Sequence, residues 1–192
     1  MALAIFLATG VTIQAQDRLT QYKVRNAISV RTPIMNDSIN PKGEKHTKKM
    51  LLQTPVVLHL PDTPMQSLTT DTAGYLSFEK ADKDNKLYLV KTQIRAERFL
   101  KGKLKITSPV RWEVFIDGAS KQVKDAAEDS ITSGSSRDIA LSLEPERDYE
   151  IIIKLLSAAD DKATPTLKCE LIKDEKFKDI PCNLDPEERK RF

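Results

Sequence analysis

The two histidines are the residues best suited to acid–base chemistry near neutral pH, and neither has partners at a useful spacing. His46 follows a basic run, and His59 stands in the apolar segment 56–60. A Ser-His-Asp triad needs a histidine in a preorganised site. A zinc site needs further His, Cys or carboxylate ligands close by. The sequence therefore predicts neither a catalytic triad nor a metal site.

Serines and carboxylates are numerous but do not form a catalytic pattern. The run Gly134-Ser-Ser-Arg-Asp138 lacks the second glycine of a nucleophile elbow. The carboxylate pairs Asp62 with Asp71 and Glu144 with Glu146 fall in predicted turns, at no spacing that favours glycosidase chemistry. No glycine-rich phosphate loop is present. We therefore expect a chain that is not an enzyme, with no catalytic residues and no cofactor.

The segment from Lys121 to Asp138 is rich in acidic residues. Asp125, Glu128 and Asp129 could hold calcium, as loops of carbohydrate-binding sandwiches often do. Calcium loops, however, place oxygen ligands at regular intervals around a fixed glycine, and that spacing is missing. The sequence predicts a solvated loop without a metal.

Alternating apolar residues define the β-strands that would have to position any site. Four strands are predicted at 103–107, 111–116, 139–143 and 149–155. Between the second strand and Ser120, Asp117-Gly118 predicts a tight hairpin, because both residues tolerate a positive φ.

The same reasoning predicts further strands on both sides of this region. They cover residues 21–30, 50–52, 56–60, 74–78, 87–94 and 165–172, with a short addition at 177–180. Short strands with a turn about every ten residues fit an all-β, jelly-roll-like β-sandwich, with an immunoglobulin-like sandwich as the alternative. Trp112 alternates with aliphatic residues, so we expect it in the core rather than on a ligand platform. The strand from Tyr149 to Leu156 is apolar on both faces, which is typical of a sheet centre or of a face beneath a neighbouring domain.

Composition excludes some functions. The net charge is only +3 with 31% charged residues, and both signs are mixed along the chain. A nucleic-acid-binding protein would concentrate its basic residues on one element. Aromatic residues make up 6%, which leaves little for a sugar-stacking platform.

The first fifteen residues resemble a secretory signal peptide. The apolar run Ala2–Ala8 is too short to span a bilayer and is followed by small residues up to Ala15, so cleavage is predicted before Gln16. A basic segment before this run is missing, which suggests that the signal peptide is incomplete; a buried strand or helix is the alternative. We expect a periplasmic or secreted protein without a stable membrane span, a β-sandwich over 16–180, and a charged tail or truncated linker over 181–192.

The two cysteines, Cys169 and Cys182, both lie near the C-terminal end. In an oxidising compartment they could form a disulfide that holds the tail against the sheet. Alternatively, Cys169 is a buried apolar residue of its strand and Cys182 is free. The sequence leaves both alternatives open, because pairing depends on geometry.

Several stretches together resemble the N-terminal region of large secreted serine peptidases of the prolyl oligopeptidase type. The similarity covers residues 17–192 and is carried by Tyr22–Ile28, Val30–Met35, Lys42–Glu44, Lys49–Pro55, Asp71–Tyr75, Arg98–Lys103, Ile106–Pro109, Val114–Gly118, Glu128–Ser130 and Ile151–Leu156. In such proteins a β-sandwich precedes a β-propeller and an α/β-hydrolase domain that holds the catalytic residues. The resemblance implies an accessory sandwich whose intramolecular partners, the propeller and hydrolase domains, are not in this sequence.

A second resemblance concerns carbohydrate-binding jelly rolls, including those of the anthrax-protective-antigen type. It is carried by Trp112–Gly118, Leu141–Pro145 and Tyr149–Lys154. In these domains the Ile-Asp-Gly turn and the later long strand pack together in the sandwich. The resemblance implies a module that binds a glycan, with a peptide as another ligand to consider.

Overall fold

The computed structural model describes residues 16–30, 42–43, 47–53 and 65–184. In chain order the elements are β1 Gln16–Arg18, β2 Gln21–Val30, α1 Lys48–Gln53, β3 Gln66–Thr69, β4 Leu76–Ser77, β5 Asn85–Ala96, β6 Leu100–Thr107, β7 Arg111–Ile116, β8 Ala119–Lys124, β9 Ser136–Leu143, β10 Asp148–Ser157, β11 Thr166–Lys173 and β12 Cys182–Asn183. None of the helices in these ranges is long and apolar enough to cross a membrane.

The strands form two antiparallel sheets. The five-stranded sheet has the order β1-β11-β6-β9, and β4 pairs with β11. The seven-stranded sheet has the order β3-β2-β5-β10-β7-β8, and β12 pairs with β5. The longest ladder joins β10 to β5 from Asp148–Arg95 to Ser157–Lys86. This pairing confirms the predicted all-β sandwich.

The main core lies between the sheets and is built by every second residue of each strand, as the period of a β-strand requires. Trp112 is fully buried in it, which confirms its predicted place. β6, β10 and β11 supply much of the rest, through Leu100, Leu104, Ile106, Tyr149, Ile151, Ile153, Leu155, Leu167, Cys169 and Leu171.

Part of the outer face of the seven-stranded sheet is apolar as well. Leu89 of β5 and Ile152 and Leu156 of β10 alternate with core residues and are nonetheless 3%, 3% and 0% exposed. The short helix α1 packs against β7 and β10, and its Leu52 is fully buried. The strand that is apolar on both faces is therefore central in its sheet and already covered within this chain.

The predicted hairpin is confirmed. Asp117 and Gly118 have φ values of 50° and 77°, and β7 pairs with β8 on either side of them. The hairpin also joins the long strand, because the Asp117 carboxylate accepts a hydrogen bond from the Glu150 N–H at 2.9 Å and Ile116 pairs with Ile151. The region after the hairpin is not all loop, since β8 occupies its first residues through Lys124.

Two predicted strands are wrong. Residues 50–52 belong to helix α1, whose six residues are too few for the helical period to be distinguished from a short apolar strand. Residues 177–180 begin at the last residue of a 3₁₀ turn, Glu175–Phe177, and the Ile180 N–H bonds to the Phe177 carbonyl. The predicted strand 56–60 lies outside the described residues, as do the signal segment 1–15 and residues 185–192.

Candidate functional site

The structure assigns structural roles to most residues that could do chemistry. Ser135 is buried, caps its own 3₁₀ turn and donates to Glu128 at 3.1 Å. The Asp71 carboxylate accepts the backbone N–H groups of Ala73 and Tyr75, which closes a loop. Glu146 pairs with Arg95, and Glu144 is exposed. Both histidines and Asp62 lie outside the described residues.

Buried ionisable side chains occur in pairs. Lys154 lies 3.2 Å from Glu113, and both side chains are less than a tenth exposed. Arg111 binds Asp161 at 2.7 Å, and Asp161 in turn accepts the Ala158 N–H. Buried charges are stable when they are paired and hydrogen-bonded. Each of these four charged groups therefore has an oppositely charged partner within the sandwich.

The three acidic residues of the 125–135 loop do not converge. Asp125 faces Lys49 at 3.8 Å, Asp129 faces Lys162 at 2.7 Å, and Glu128 binds Lys124 at 2.7 Å. The described part of the chain has no group of three or more His, Cys, Asp or Glu side chains arranged to hold a metal. Most residues of this loop are exposed, as predicted, but the Glu128 side chain is only 23% exposed and Ser135 is buried.

A cavity of about 410 Å³ lies on one side of the sandwich, and we call it the flank cleft. It lies beside β8 and β9, the last strands in the order of the two sheets. Its nearly buried lining residues are Ile116, Leu141 and Tyr149, and its exposed lining residues are Asp117, Ala119, Lys121, Ala140, Ser142, Glu144 and Arg147. The base of the cleft is apolar and its surroundings are polar, whereas most small-molecule sites are lined predominantly by apolar side chains.

Tyr149 is held firmly in the flank cleft. Its hydroxyl oxygen accepts the Glu144 N–H at 2.9 Å, and the Arg147 guanidinium lies 4.7 Å from the ring centroid. Arg147 also binds the Asp117 carboxylate at 2.8 Å. The hairpin turn and the β9–β10 connection thus fix the polar groups of the cleft in one arrangement.

A larger opening of about 920 Å³, the terminal groove, lies where β1 and β12 meet. Lys173 lies in its wall, bound to Asp17 at 2.5 Å and to the Ile180 carbonyl at 2.8 Å. The segments 1–15 and 185–192 join the described residues beside this groove. β12 lies within the predicted tail, so the first residues of that tail belong to the seven-stranded sheet.

Both cysteines are free thiols in the structure. Cys169 is buried in β11, and burial raises the pKa of its thiol to about 12. Cys182 is half-buried, and burial raises the pKa of its thiol too, although Lys173 opposes the shift. This arrangement corresponds to the second of the two alternatives left open by the sequence.

Sequence reasoning missed the flank cleft and the contacts of Lys124. The cleft could have been suspected from the hairpin, since Asp117 and Tyr149 lie in two stretches that already resembled one jelly-roll family. The contacts of Lys124 had no signal in the sequence, because two of its partners, Pro109 and Val110, precede it by 15 and 14 residues.

Comparisons with known proteins were made by sequence and by structure. No protein-family model and no curated protein sequence matches the chain. Among solved structures, a β-glucosidase from Kluyveromyces marxianus in complex with glucose matches 76% of this chain at 10% identity and a TM-score of 0.45. The chain spans 18% of that protein's length.

Two further structures are similar over more of the chain. A subtype-switched epithelial adhesin 9 to 1 A domain from Candida glabrata, in complex with β-lactose, matches 89% of this chain and 90% of its own at 8% identity and a TM-score of 0.43. A β-glucuronidase from Ruminococcus gnavus matches 87% of this chain and 30% of its own, at 9% identity and a TM-score of 0.40. Because all these TM-scores are below 0.5, the assignment as a β-sandwich rests on the strand pairing of this chain itself.

Proposed function

We propose that this chain is a non-catalytic accessory β-sandwich of a periplasmic or secreted serine peptidase of the prolyl oligopeptidase type, packing on or gating its catalytic domains. The observation that carries the non-catalytic part is the pairing of buried charges. Lys154 pairs with Glu113 and Arg111 pairs with Asp161 inside the sandwich, and the buried Lys173 pairs with the partly exposed Asp17. The peptidase parentage is supported by the resemblance over residues 17–192.

The position of α1 bears on how such a sandwich would meet its neighbours. The outward face of β10 is covered within this chain, so we expect the propeller and hydrolase domains to contact another surface. The outer face of the five-stranded sheet is available and polar, with Lys101 and Lys103 of β6 exposed and Lys103 lying 3.5 Å from Asp138. A polar surface of this kind fits the hydrophilic interfaces common between domains of one chain.

Two measurements test this proposal. The purified chain should not hydrolyse chromogenic proline-containing peptides, and turnover above a buffer blank would overturn the non-catalytic assignment. The coding sequence after Phe192 should continue in frame into propeller repeats and a Gly-x-Ser-x-Gly motif. A stop codon at that point would overturn the peptidase parentage.

The flank cleft favours a second candidate function, the binding of a saccharide. A sugar ring has an apolar face and a hydroxyl-rich edge. The nearly buried Ile116 and Leu141 could contact the face, and Ser142, Lys121 and Glu144 could bind the hydroxyls. Trp112 is fully buried and so cannot provide the platform.

A glycan array followed by calorimetry would test this second function. Binding should fall at least about tenfold in Ser142→Ala or Lys121→Ala, because each removes a hydrogen bond to a polar ligand. Lys178→Ala is the matched control, since this exposed lysine pairs with Glu175 and does not line the cleft. Absence of any array signal, or equal loss in the control, would exclude the cleft as a saccharide site.

A further inference from the structure

Lys124, the last residue of β8, lies in an unusual environment for a lysine. Its side chain is 1% exposed. Its ammonium nitrogen lies 2.7 Å from the Ala126 carbonyl, 2.7 Å from a Glu128 carboxylate oxygen, 3.3 Å from the Val110 carbonyl and 3.5 Å from the Pro109 carbonyl. A cation is thus surrounded by three backbone carbonyls and one carboxylate.

The oxygens around this ammonium come from two separate parts of the chain. Pro109 and Val110 belong to the turn between β6 and β7, whereas Ala126 and Glu128 belong to the loop before β9. The Glu128 N–H also donates to the Pro109 carbonyl at 2.8 Å. The ammonium therefore joins two loops that are adjacent in space but remote in sequence.

The same carboxylate extends the network to the end of the loop. The oxygen of Glu128 that binds Lys124 also accepts the Ser135 hydroxyl at 3.1 Å. Ser135 in turn caps the 3₁₀ turn with Thr132, and its carbonyl accepts the Ser108 N–H at 3.1 Å. The loop 125–135 is thereby ordered around one positive charge.

Backbone carbonyls together with a carboxylate are the ligands that hard cations such as Ca²⁺ take from proteins. We propose that the Lys124 ammonium takes the place of a bound metal ion in this part of the sandwich. It fills an oxygen-lined site of the type that a metal ion occupies, and it orders the loop 125–135 without a metal. This inference does not depend on the proposed function. It also explains how an acid-rich loop can be ordered although its other carboxylates face different lysines.

Hydrogen exchange of the backbone amides of Glu128 and Ser135 tests the proposal. Lys124→Met keeps much of the side-chain volume but removes the charge, and it should accelerate exchange at both amides by about tenfold or more, as the loss of charged hydrogen bonds implies. The matched control is Lys162→Met. Lys162 pairs with Asp129 of the same loop, but both side chains are at least 70% exposed, so exchange should change less than about twofold.

Rescue by added cations separates a cation site from simple packing. In Lys124→Ala the space is open, so ammonium or calcium chloride should slow the exchange again, whereas choline chloride at equal ionic strength should not. In Lys124→Met the space is filled, and no salt should rescue it. The unsubstituted protein should respond neither to calcium nor to EDTA.

Three results would overturn the proposal. They are unchanged exchange in Lys124→Met, a calcium or EDTA response in the unsubstituted protein, and equal behaviour of Lys124→Ala in ammonium, calcium and choline. If Lys124→Ala does not fold, Lys124→Met and its Lys162→Met control decide the matter.

Discussion

At the scale of single residues, the Cys169 thiol makes stability depend on pH. Its pKa is raised to about 12 in the folded protein from an ordinary value of 9.0, because burial disfavours the thiolate. The stability that this thiol contributes is therefore complete below pH 9 and is lost as the pH rises towards 12. The loss should be on the order of 1 kcal/mol by pH 10.

Urea unfolding between pH 8 and pH 10 measures this effect. The free energy of unfolding of Cys169→Ala should fall less steeply with pH over that range than that of the unsubstituted protein. This holds even if the two proteins differ in stability at pH 8. The comparison cancels Lys124, whose pKa is lowered by burial, and Cys182, whose pKa is raised by burial, because both are present in the two proteins and neither shift is caused by Cys169. Both proteins should carry Tyr22→Phe, because the pKa of Tyr22 is raised by burial and also by Cys169. Parallel pH profiles would contradict the prediction.

The sequence predicts the burial and the partners of some residues but not of others. The burial of Trp112 followed from its aliphatic neighbours two positions away, so alternation alone was sufficient. The pairing of Lys124 with Glu128 could not be predicted, since a lysine four residues before a glutamate is ordinarily a solvent-exposed pair. Its burial depends on the turn between β6 and β7, which only the folded chain brings close.

At the scale of elements, β6 depends on a glycine for its pairing with β11. A Cβ atom added to Gly102 would lie 2.4 Å from the Ile172 carbonyl oxygen, closer than any real contact. Gly102→Ala must therefore push the two strands apart, and we expect a loss of about 2 kcal/mol or more in the free energy of unfolding. Chemical denaturation would measure it.

Gly134→Ala provides the comparison. A Cβ atom there would meet its nearest neighbour, the Thr132 hydroxyl, at 3.5 Å, which is an ordinary contact. The free energy of unfolding of Gly134→Ala should differ from that of the unsubstituted protein by less than about 0.5 kcal/mol, as is usual for exposed positions. Similar effects at the two glycines would show that the approach of β6 to β11 is not the cause.

The hairpin turn gives another prediction for one element. Asp117→Ala removes the acceptor for the Glu150 N–H and the partner of Arg147, and it places alanine at a φ of 50°. We expect a loss of about 1–2 kcal/mol by thermal or urea unfolding. Asp117→Asn keeps a side-chain oxygen that can accept the hydrogen bond, and asparagine tolerates this φ. Its free energy of unfolding should therefore fall clearly less than that of Asp117→Ala. An equal loss would disprove the role of the side-chain acceptor.

Elements with a clear period were predicted well, and short ones were not. β6, β7 and β9 alternate over six to eight residues, which is enough to distinguish a strand. α1 has six residues, and three consecutive apolar residues fit a helix and a strand equally. What separates the two is the sheet against which α1 packs, and the local sequence does not contain that information.

At the scale of the whole molecule, the single tryptophan reports on the integrity of the sandwich. Trp112 is fully buried between the sheets, and within the described part of the chain its indole N–H has no hydrogen-bond partner. Its fluorescence should therefore be blue-shifted and poorly quenched by acrylamide. On unfolding, the emission should move to longer wavelength in one transition that coincides with the loss of β-sheet circular dichroism.

Quenching of the folded protein as strong as that of free tryptophan would contradict the buried position. Two separate transitions would mean that α1 detaches from the sheet independently of the main core. In that case the fluorescence of Trp112 should follow the second transition, because its contacts lie between the two sheets.

The meeting of β1 and β12 at the terminal groove has a mechanical consequence. Any tension applied between Gln16, which begins β1, and Leu184, which follows β12, enters the sandwich at a single corner. There it is resisted first by the three residues of β1 and the two residues of β12, while the ten paired positions that join β10 to β5 carry little of the load. Stretching should therefore detach these two short strands early and leave the body of the sandwich intact, so that the corner acts as an extensible joint.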